Sequence, residues 1–180
     1  MVNASLNKNM LCLLKKLKNS KFISYECAKN HSSAYGNLRI NTDNGSIEIT
    51  NIEKTMPFFD IEEDVTSFEC EISDPCAEFK PYCIEPFEAF EVGEIITGIE
   101  IINDEINVND GEYEISFDQA IIIRTEKQTI MFSRDIWFLE VITIFDNDNY
   151  DEFFSVEQAI EAWSEEGKND VKVIRTKKVL

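Results

Sequence analysis

Apolar residues near the start of the chain recur at intervals of three or four. They are Leu6, Met10, Leu13, Leu14 and Leu17, and Lys8, Lys15, Lys16 and Lys18 lie elsewhere around the helical wheel. This spacing places the leucines on one side of a helix and the lysines on the other. The pattern predicts an N-terminal amphipathic helix of about four turns over residues 4–19, which we expect to dock on the rest of the domain rather than on a membrane.

From Asn37 onward the apolar pattern changes to a period of two, which is typical of strands. Leu38 and Ile40 precede an Asp43-Asn44-Gly45 turn, and Ile47 and Ile49 follow it, so this stretch predicts a β-hairpin. After an irregular stretch marked by three prolines, more strands follow at short spacing. The predicted strands beyond the hairpin are residues 66–73, 94–102, 105–108, 112–117, 119–125, 129–133 and 134–145.

The end of the chain predicts one helix and one strand. Ser155 followed by Gln158 forms a capping-box pattern, and Gly167 is a suitable end, so we expect a helix over 155–166. Residues 170–178 then predict a final strand. The whole chain, 1–180, is therefore expected to be a single α+β domain. Its β-rich body, residues 37–145, should form a mainly antiparallel, curled or barrel-like sheet, with the N-terminal amphipathic helix and one C-terminal helix beside it.

Charge is distributed very unevenly along the chain. The net charge is −18, but residues 41–167 hold 33 acidic residues against five basic ones. Between Thr55 and Ile123 the only basic residue is Lys80, set against 19 carboxylates. Such a segment does not help folding, so its acidity needs another cause: solubility, an acidic host proteome or a basic partner protein. Because it repels nucleic acid, we expect a basic partner protein and no direct nucleic-acid binding.

The cysteine and histidine content excludes several kinds of site. Five cysteines (Cys12, Cys27, Cys70, Cys76, Cys83) form no CxxC pair, and His31 is the only histidine. A disulfide framework, a structural zinc site and a catalytic serine–histidine set are therefore not expected. The chain has no apolar run of membrane-spanning length and no signal-peptide pattern, so we expect a cytoplasmic protein without a cofactor.

One acidic segment resembles part of a calcium loop. Asp146, Asp148 and Glu157 fall on positions 1, 3 and 12 of such a loop. However, Tyr150 and Asp151 occupy positions 5 and 6, where the loop needs an oxygen ligand and glycine, and a predicted strand precedes the segment. We therefore expect an acidic strand-to-helix connection here and no metal site.

The acidic strand faces carry the strongest functional signal. Glu69 and Glu71 alternate with apolar residues on one predicted strand, as Glu112, Glu114 and Asp118 do on another. Carboxylates at positions i and i+2 of a strand lie about 6.6 Å apart, a spacing close to that of backbone phosphates. These five residues are the candidate partner-binding site, and the alternative is an ordinary solvated sheet face.

In size, charge and expected compartment the chain resembles small acidic inhibitors of bacteria and their mobile elements. Examples are immunity proteins against nuclease toxins and phage anti-defence proteins such as anti-CRISPRs. The resemblance implies a non-enzymatic protein that inhibits a basic nuclease or other nucleic-acid-binding enzyme, as a mimic of nucleic acid. Two alternatives remain: a metal-dependent enzyme or calcium-binding module that uses the carboxylate clusters, and a structural protein of a mobile element.

Overall fold

The structure, a computed structural model, describes residues 1–30, 33–82, 86–134, 139–146 and 149–180. The strands and helices follow in chain order: β1 Val2–Ala4, α1 Lys8–Lys16, β2 Lys21–Asn30, β3 Ser33–Thr42, β4 Gly45–Phe58, β5 Ile61–Ser73, β6 Phe87–Val108, β7 Tyr113–Thr125, β8 Thr129–Arg134, β9 Val141–Phe145, α2 Tyr150–Phe153, α3 Val156–Trp163 and β10 Val171–Val179. A short 3₁₀ turn, Asn109–Gly111, joins β6 to β7.

Six of these strands close into a ring. The hydrogen-bonded path runs from β6 through β7, β8, β9, β3 and β2 and returns to β6, and every pairing along it is antiparallel. The ring closes because β6 is long enough to pair with β2 through its first half and with β7 through its second half. Two shifts of register between β6 and β7 supply the local bends that a closed sheet needs.

The main core lies inside this ring. Each ring strand contributes buried apolar side chains, among them Phe22, Leu38, Ile99, Ile121, Phe132 and Ile142. Fully burying a side chain of this size contributes about 1.5–3 kcal/mol. Leu14 and Leu17, from α1 and its C-terminal end, pack into the same core, so the helix is fixed to the ring.

Beyond the ring, β6 and β7 continue together and gain two further neighbours. β1 pairs with β7 in parallel, and β10 pairs with β6 in antiparallel fashion. The long hairpin of β4 and β5 packs its tip against this extension, where Phe58 and Phe59 contact Tyr113 and Trp163. The Tyr113 hydroxyl also donates to the carbonyl of Pro57 at 3.0 Å. A second apolar core therefore lies between the hairpin tip and the extension.

The predicted α+β class is wrong. The protein is 62% strand and 14% helical, so it is mostly β with three short helices in the described part of the chain. The sheet is mixed because β1 runs parallel to β7, whereas the pattern predicted a mainly antiparallel one. Two strands near the N-terminus, β1 and β2, were not predicted at all, because neither shows a clean alternation of apolar and polar residues.

The predicted four-turn N-terminal amphipathic helix over residues 4–19 is also wrong. Residues 2–4 form a strand instead, and α1 has only nine residues. The backbone stays non-helical up to Asn7, and the Leu6 amide donates to the Asp118 carboxylate at 2.7 Å. The Asn7 side chain then caps the helix by accepting from the amides of Asn9 and Met10. At the other end, the left-handed backbone of Asn19 (φ 67°) prevents continuation.

Several local predictions agree with the structure, and others differ in extent. The hairpin turn lies at Asp43-Asn44 between β3 and β4, and Ser155 with Gln158 forms the predicted capping box of α3. The strands predicted separately at 94–102 and 105–108 are one strand, β6, as are those at 112–117 and 119–125, which form β7. Part of the strand predicted at 134–145 lies outside the described residues.

Within the described residues, no helix is both long enough and apolar enough to cross a membrane.

Candidate partner-binding surface

Glu69 and Glu71 lie near the end of β5 that is remote from the hairpin tip. Glu71 is exposed and stands directly opposite Glu48 of β4 in the antiparallel register. Glu69 is half-buried, and its carboxylate forms an ion pair with the Lys54 ammonium at 2.6 Å. The two predicted residues therefore share one surface, but a basic side chain partly neutralises one of them.

Glu112 and Glu114 lie elsewhere, on the extension of the sheet. Glu112 precedes β7 and accepts from the Asn109 side chain at 2.7 Å. Glu114 accepts from Asn107 at 2.9 Å and lies 3.8 Å from the N-terminal ammonium. Glu114 borders a region that also contains the Lys172–Asp110 ion pair, so the charge of that region is mixed. Among the described residues, no strand pairing or hydrogen bond joins this pair of carboxylates to Glu69 and Glu71.

Asp118 is not on an exposed face, which corrects the predicted outward position of this residue. It is only 5% exposed. Its carboxylate accepts the Leu6 amide at 2.7 Å and the Asn103 side chain at 2.9 Å. Alternation along β7 predicts the side of the sheet correctly, but the segment leading into α1 covers that side at Asp118. Asp118 therefore fixes the N-terminal segment and is unavailable to a partner.

Residues 74–82, which we call the strap, cross the outer face of β3. Arg39 holds the first part, because its Nη1 donates to the carbonyls of Ala77 at 2.7 Å and Asp74 at 3.3 Å. Asn37 holds the second part: its side chain donates to the Lys80 carbonyl and accepts the Tyr82 amide, both at 3.0 Å. Asn37 and Arg39 alternate with the core residues of β3, so they point outward, and both are buried beneath the strap.

The strap ends by placing Tyr82 beside the acidic end of the hairpin. The ring lies over Gly36, where a Cβ atom would come within 2.5 Å of the Tyr82 ring, so only glycine fits beneath it. Tyr82 remains 58% exposed. The pKa of Tyr82 is raised above its ordinary value. Partial burial is the largest cause, and the second is the negative charge of four carboxylates, those of Glu48, Glu71, Glu140 and Glu69. The result is an exposed aromatic ring among four carboxylates, which we call the Tyr82 surface.

Sequence reasoning found two of these five residues and missed three. Glu48 shares the outward phase of the predicted hairpin, so its position could have been inferred from the alternation with Ile47 and Ile49. Tyr82 and Glu140 carried no such signal, because their positions depend on the path of the strap and on the contact of Glu140 with Gly36. The Gly36 amide donates to the Glu140 carbonyl at 2.5 Å.

The described part of the calcium-like segment does not have the backbone of a calcium loop. Asp148 lies outside the described residues, Asp146 follows the end of β9, and Glu157 lies in the first turn of α3. Helix α2 occupies positions that a calcium loop needs as open turns, and a strand rather than a helix precedes the segment. Across the described residues, no group of three or more histidine, cysteine, aspartate or glutamate side chains is arranged to hold a metal ion.

His31 and Cys83 lie outside the described residues, while Cys12 and Cys76 are exposed and Cys27 and Cys70 are buried. Burial raises the pKa of the Cys70 thiol strongly, so this residue is not a reactive thiolate. No family model, curated protein or solved structure matches the chain.

Proposed function

We propose that this protein is a non-enzymatic acidic binding protein that inhibits a basic nucleic-acid-acting enzyme by occupying its nucleic-acid groove. The observation that carries the proposal is the Tyr82 surface, formed by Glu48, Glu69, Glu71, Glu140 and Tyr82. Four carboxylates surround the ring there; Lys54 pairs with Glu69, and Arg39, which stands opposite Glu48 in the strand register, is buried and pairs with Glu26. Such a surface complements a groove lined with lysine and arginine, and Tyr82 offers a ring on which a guanidinium can stack.

The arrangement of this surface supports recognition as well as attraction. Asn37 and Gly36 fix the position of Tyr82, so little conformational freedom is lost when a partner binds. The carboxylates chiefly accelerate encounter with a basic partner, whereas a fixed aromatic side chain slows its release. Glu112 and Glu114 are not part of this surface, and the proposal does not depend on them. We expect the protein to act in the cytoplasm, where nucleases and nucleic-acid-binding enzymes are found.

The test is affinity capture from a lysate of the source organism with matched charge variants. The wild-type protein should retain a basic nucleic-acid-binding enzyme, and added duplex DNA should displace that enzyme. The double variant Glu69→Lys/Glu71→Lys should lose the enzyme, since both changes place cations in the interface. Glu161→Lys/Glu165→Lys changes the net charge equally at exposed positions of α3 and the turn after it, and should retain the enzyme.

Equal capture by both double variants would overturn the proposal, because binding would then depend on net charge or on another surface. If duplex DNA does not displace the captured enzyme, the nucleic-acid groove is not the target.

A further inference from the structure

Two strands with unpaired edges carry opposite charge. Among the described residues, β10 pairs only with β6, and β5 pairs only with β4. An unpaired edge presents free backbone amides and carbonyls that can accept another strand. The two edges belong to different parts of the molecule, because β10 flanks the extension of the sheet and β5 belongs to the long hairpin.

The free edge of β10 is basic and partly apolar. Lys172, Lys177 and Lys178 are exposed on it, and so are Ile174 and Val179. Lys172 and Lys177 have acidic neighbours in their own chain, at 2.5 Å and 3.3 Å, whereas Lys178 has no ion pair within the described residues. Lysines on an edge strand oppose pairing with an identical basic edge and favour an acidic strand.

The end of β5 at the hairpin tip has the complementary character. Residues 61–64, the sequence Ile-Glu-Glu-Asp, are all exposed, and Ile61 is a large apolar residue among them. The tip is held in place because Phe59 stacks on Tyr113 with ring centroids 4.6 Å apart. The acidic edge is therefore already extended and ordered, which reduces the entropy lost when it pairs.

We propose that β10 of one copy of this protein receives residues 61–64 of a second copy as an added strand. Glu62 and Glu63 then lie against the lysines of β10, and Ile61 covers exposed apolar surface of that strand. The two surfaces differ, so the contact is heterologous and each copy keeps one unused edge, which leads to chains rather than closed dimers. This contact does not use the Tyr82 surface.

Sedimentation velocity of the full chain at physiological salt tests the proposal without any partner protein. The sedimentation coefficient of the wild type should rise with protein concentration. Lys177→Glu/Lys178→Glu and Glu62→Lys/Glu63→Lys should each weaken self-association by about tenfold or more, because like charges then face each other. Lys15→Glu/Lys16→Glu, on exposed positions of α1, has the same net charge as the first variant and should associate like the wild type.

An equimolar mixture of the two edge variants supplies the decisive measurement. Copies of one variant repel each other, because β10 and the hairpin tip then carry charge of the same sign. In the mixture, the acidic β10 of one variant faces the basic tip of the other, so the mixture should associate again. A wild type that stays monomeric at every concentration would overturn the proposal, as would an edge variant that associates normally or a mixture that stays dissociated.

Discussion

At the scale of single residues, burial separates side chains that look alike in the sequence. Glu71 and Asp118 both alternate with apolar residues, yet Glu71 is exposed and Asp118 is enclosed by the segment that leads into α1. Alternation determines the side of the strand, but it does not show what later packs against that side. The sequence therefore predicted the phase of these residues and could not predict their exposure.

Asp118 should make the stability of the protein depend on pH in a specific direction. Burial raises the pKa of Asp118, although hydrogen bonds from Leu6 and Asn103 oppose the shift. The folded state therefore binds the proton more tightly than the unfolded state. The stabilising effect is fully present below the unfolded pKa, about 3.9, and is lost as pH rises through the raised folded pKa. The wild type should thus lose stability relative to Asp118→Asn as pH increases from about 4 to about 7.

Urea unfolding of both proteins across this range measures the difference. Ser116→Ala removes a hydroxyl from the same hydrogen-bonded group but no titrating proton, so its difference from the wild type should be independent of pH. The opposite result would be a free energy of unfolding of the wild type that increases relative to that of Asp118→Asn as pH rises. It would show that the hydrogen bonds from Leu6 and Asn103 affect the pKa of Asp118 more than burial does.

At the scale of elements, predictions succeeded where a local signal is complete and failed where tertiary contacts decide. The Asp43-Asn44-Gly45 turn and the Ser155–Gln158 capping box are specified within a few residues, and both occur in the structure. The N-terminal helix is shorter than its leucine pattern suggests, because β7 pairs with Val2–Ala4 and Asp118 accepts the Leu6 amide, so these residues are not free to join the helix. The strap has no periodicity of its own, so nothing in its sequence predicts its path over Asn37 and Arg39.

Helix α1 should stabilise the fold through one side chain in particular. Leu14 is fully buried in the ring core, whereas its neighbour Leu13 is only partly buried beside Lys16 and Ile72. Leu14→Ala should lower the free energy of unfolding by about 2–5 kcal/mol, because it removes buried methyl groups and leaves a cavity. Leu13→Ala should lower it clearly less. Equal losses in urea unfolding would contradict the docking of α1 through Leu14.

At the scale of the whole molecule, the acidic charge includes a pair of carboxylates that oppose each other across two strands. Glu48 and Glu71 face each other across β4 and β5, and a like-charged pair in this position destabilises a sheet. Composition alone predicted a strongly acidic body, but it could not show which carboxylates oppose one another, because that depends on strand register. The carboxylates of the Tyr82 surface are therefore expected to favour partner binding and to lower the free energy of unfolding.

Neutralising Glu71 should consequently stabilise the protein while it weakens partner binding. Glu71→Gln should raise the free energy of unfolding by a few tenths of a kcal/mol at about 0.1 M salt. The gain should shrink near 1 M salt, where the Debye length falls from about 10 Å to about 3 Å. Glu69→Gln is the matched control on the same surface: it removes the ion pair with Lys54, so it should not stabilise the protein at either salt concentration.

Urea unfolding of the two variants and the wild type at both salt concentrations measures these differences in the free energy of unfolding. A Glu71→Gln variant that is less stable than the wild type at low salt would show that repulsion between Glu48 and Glu71 does not govern this surface.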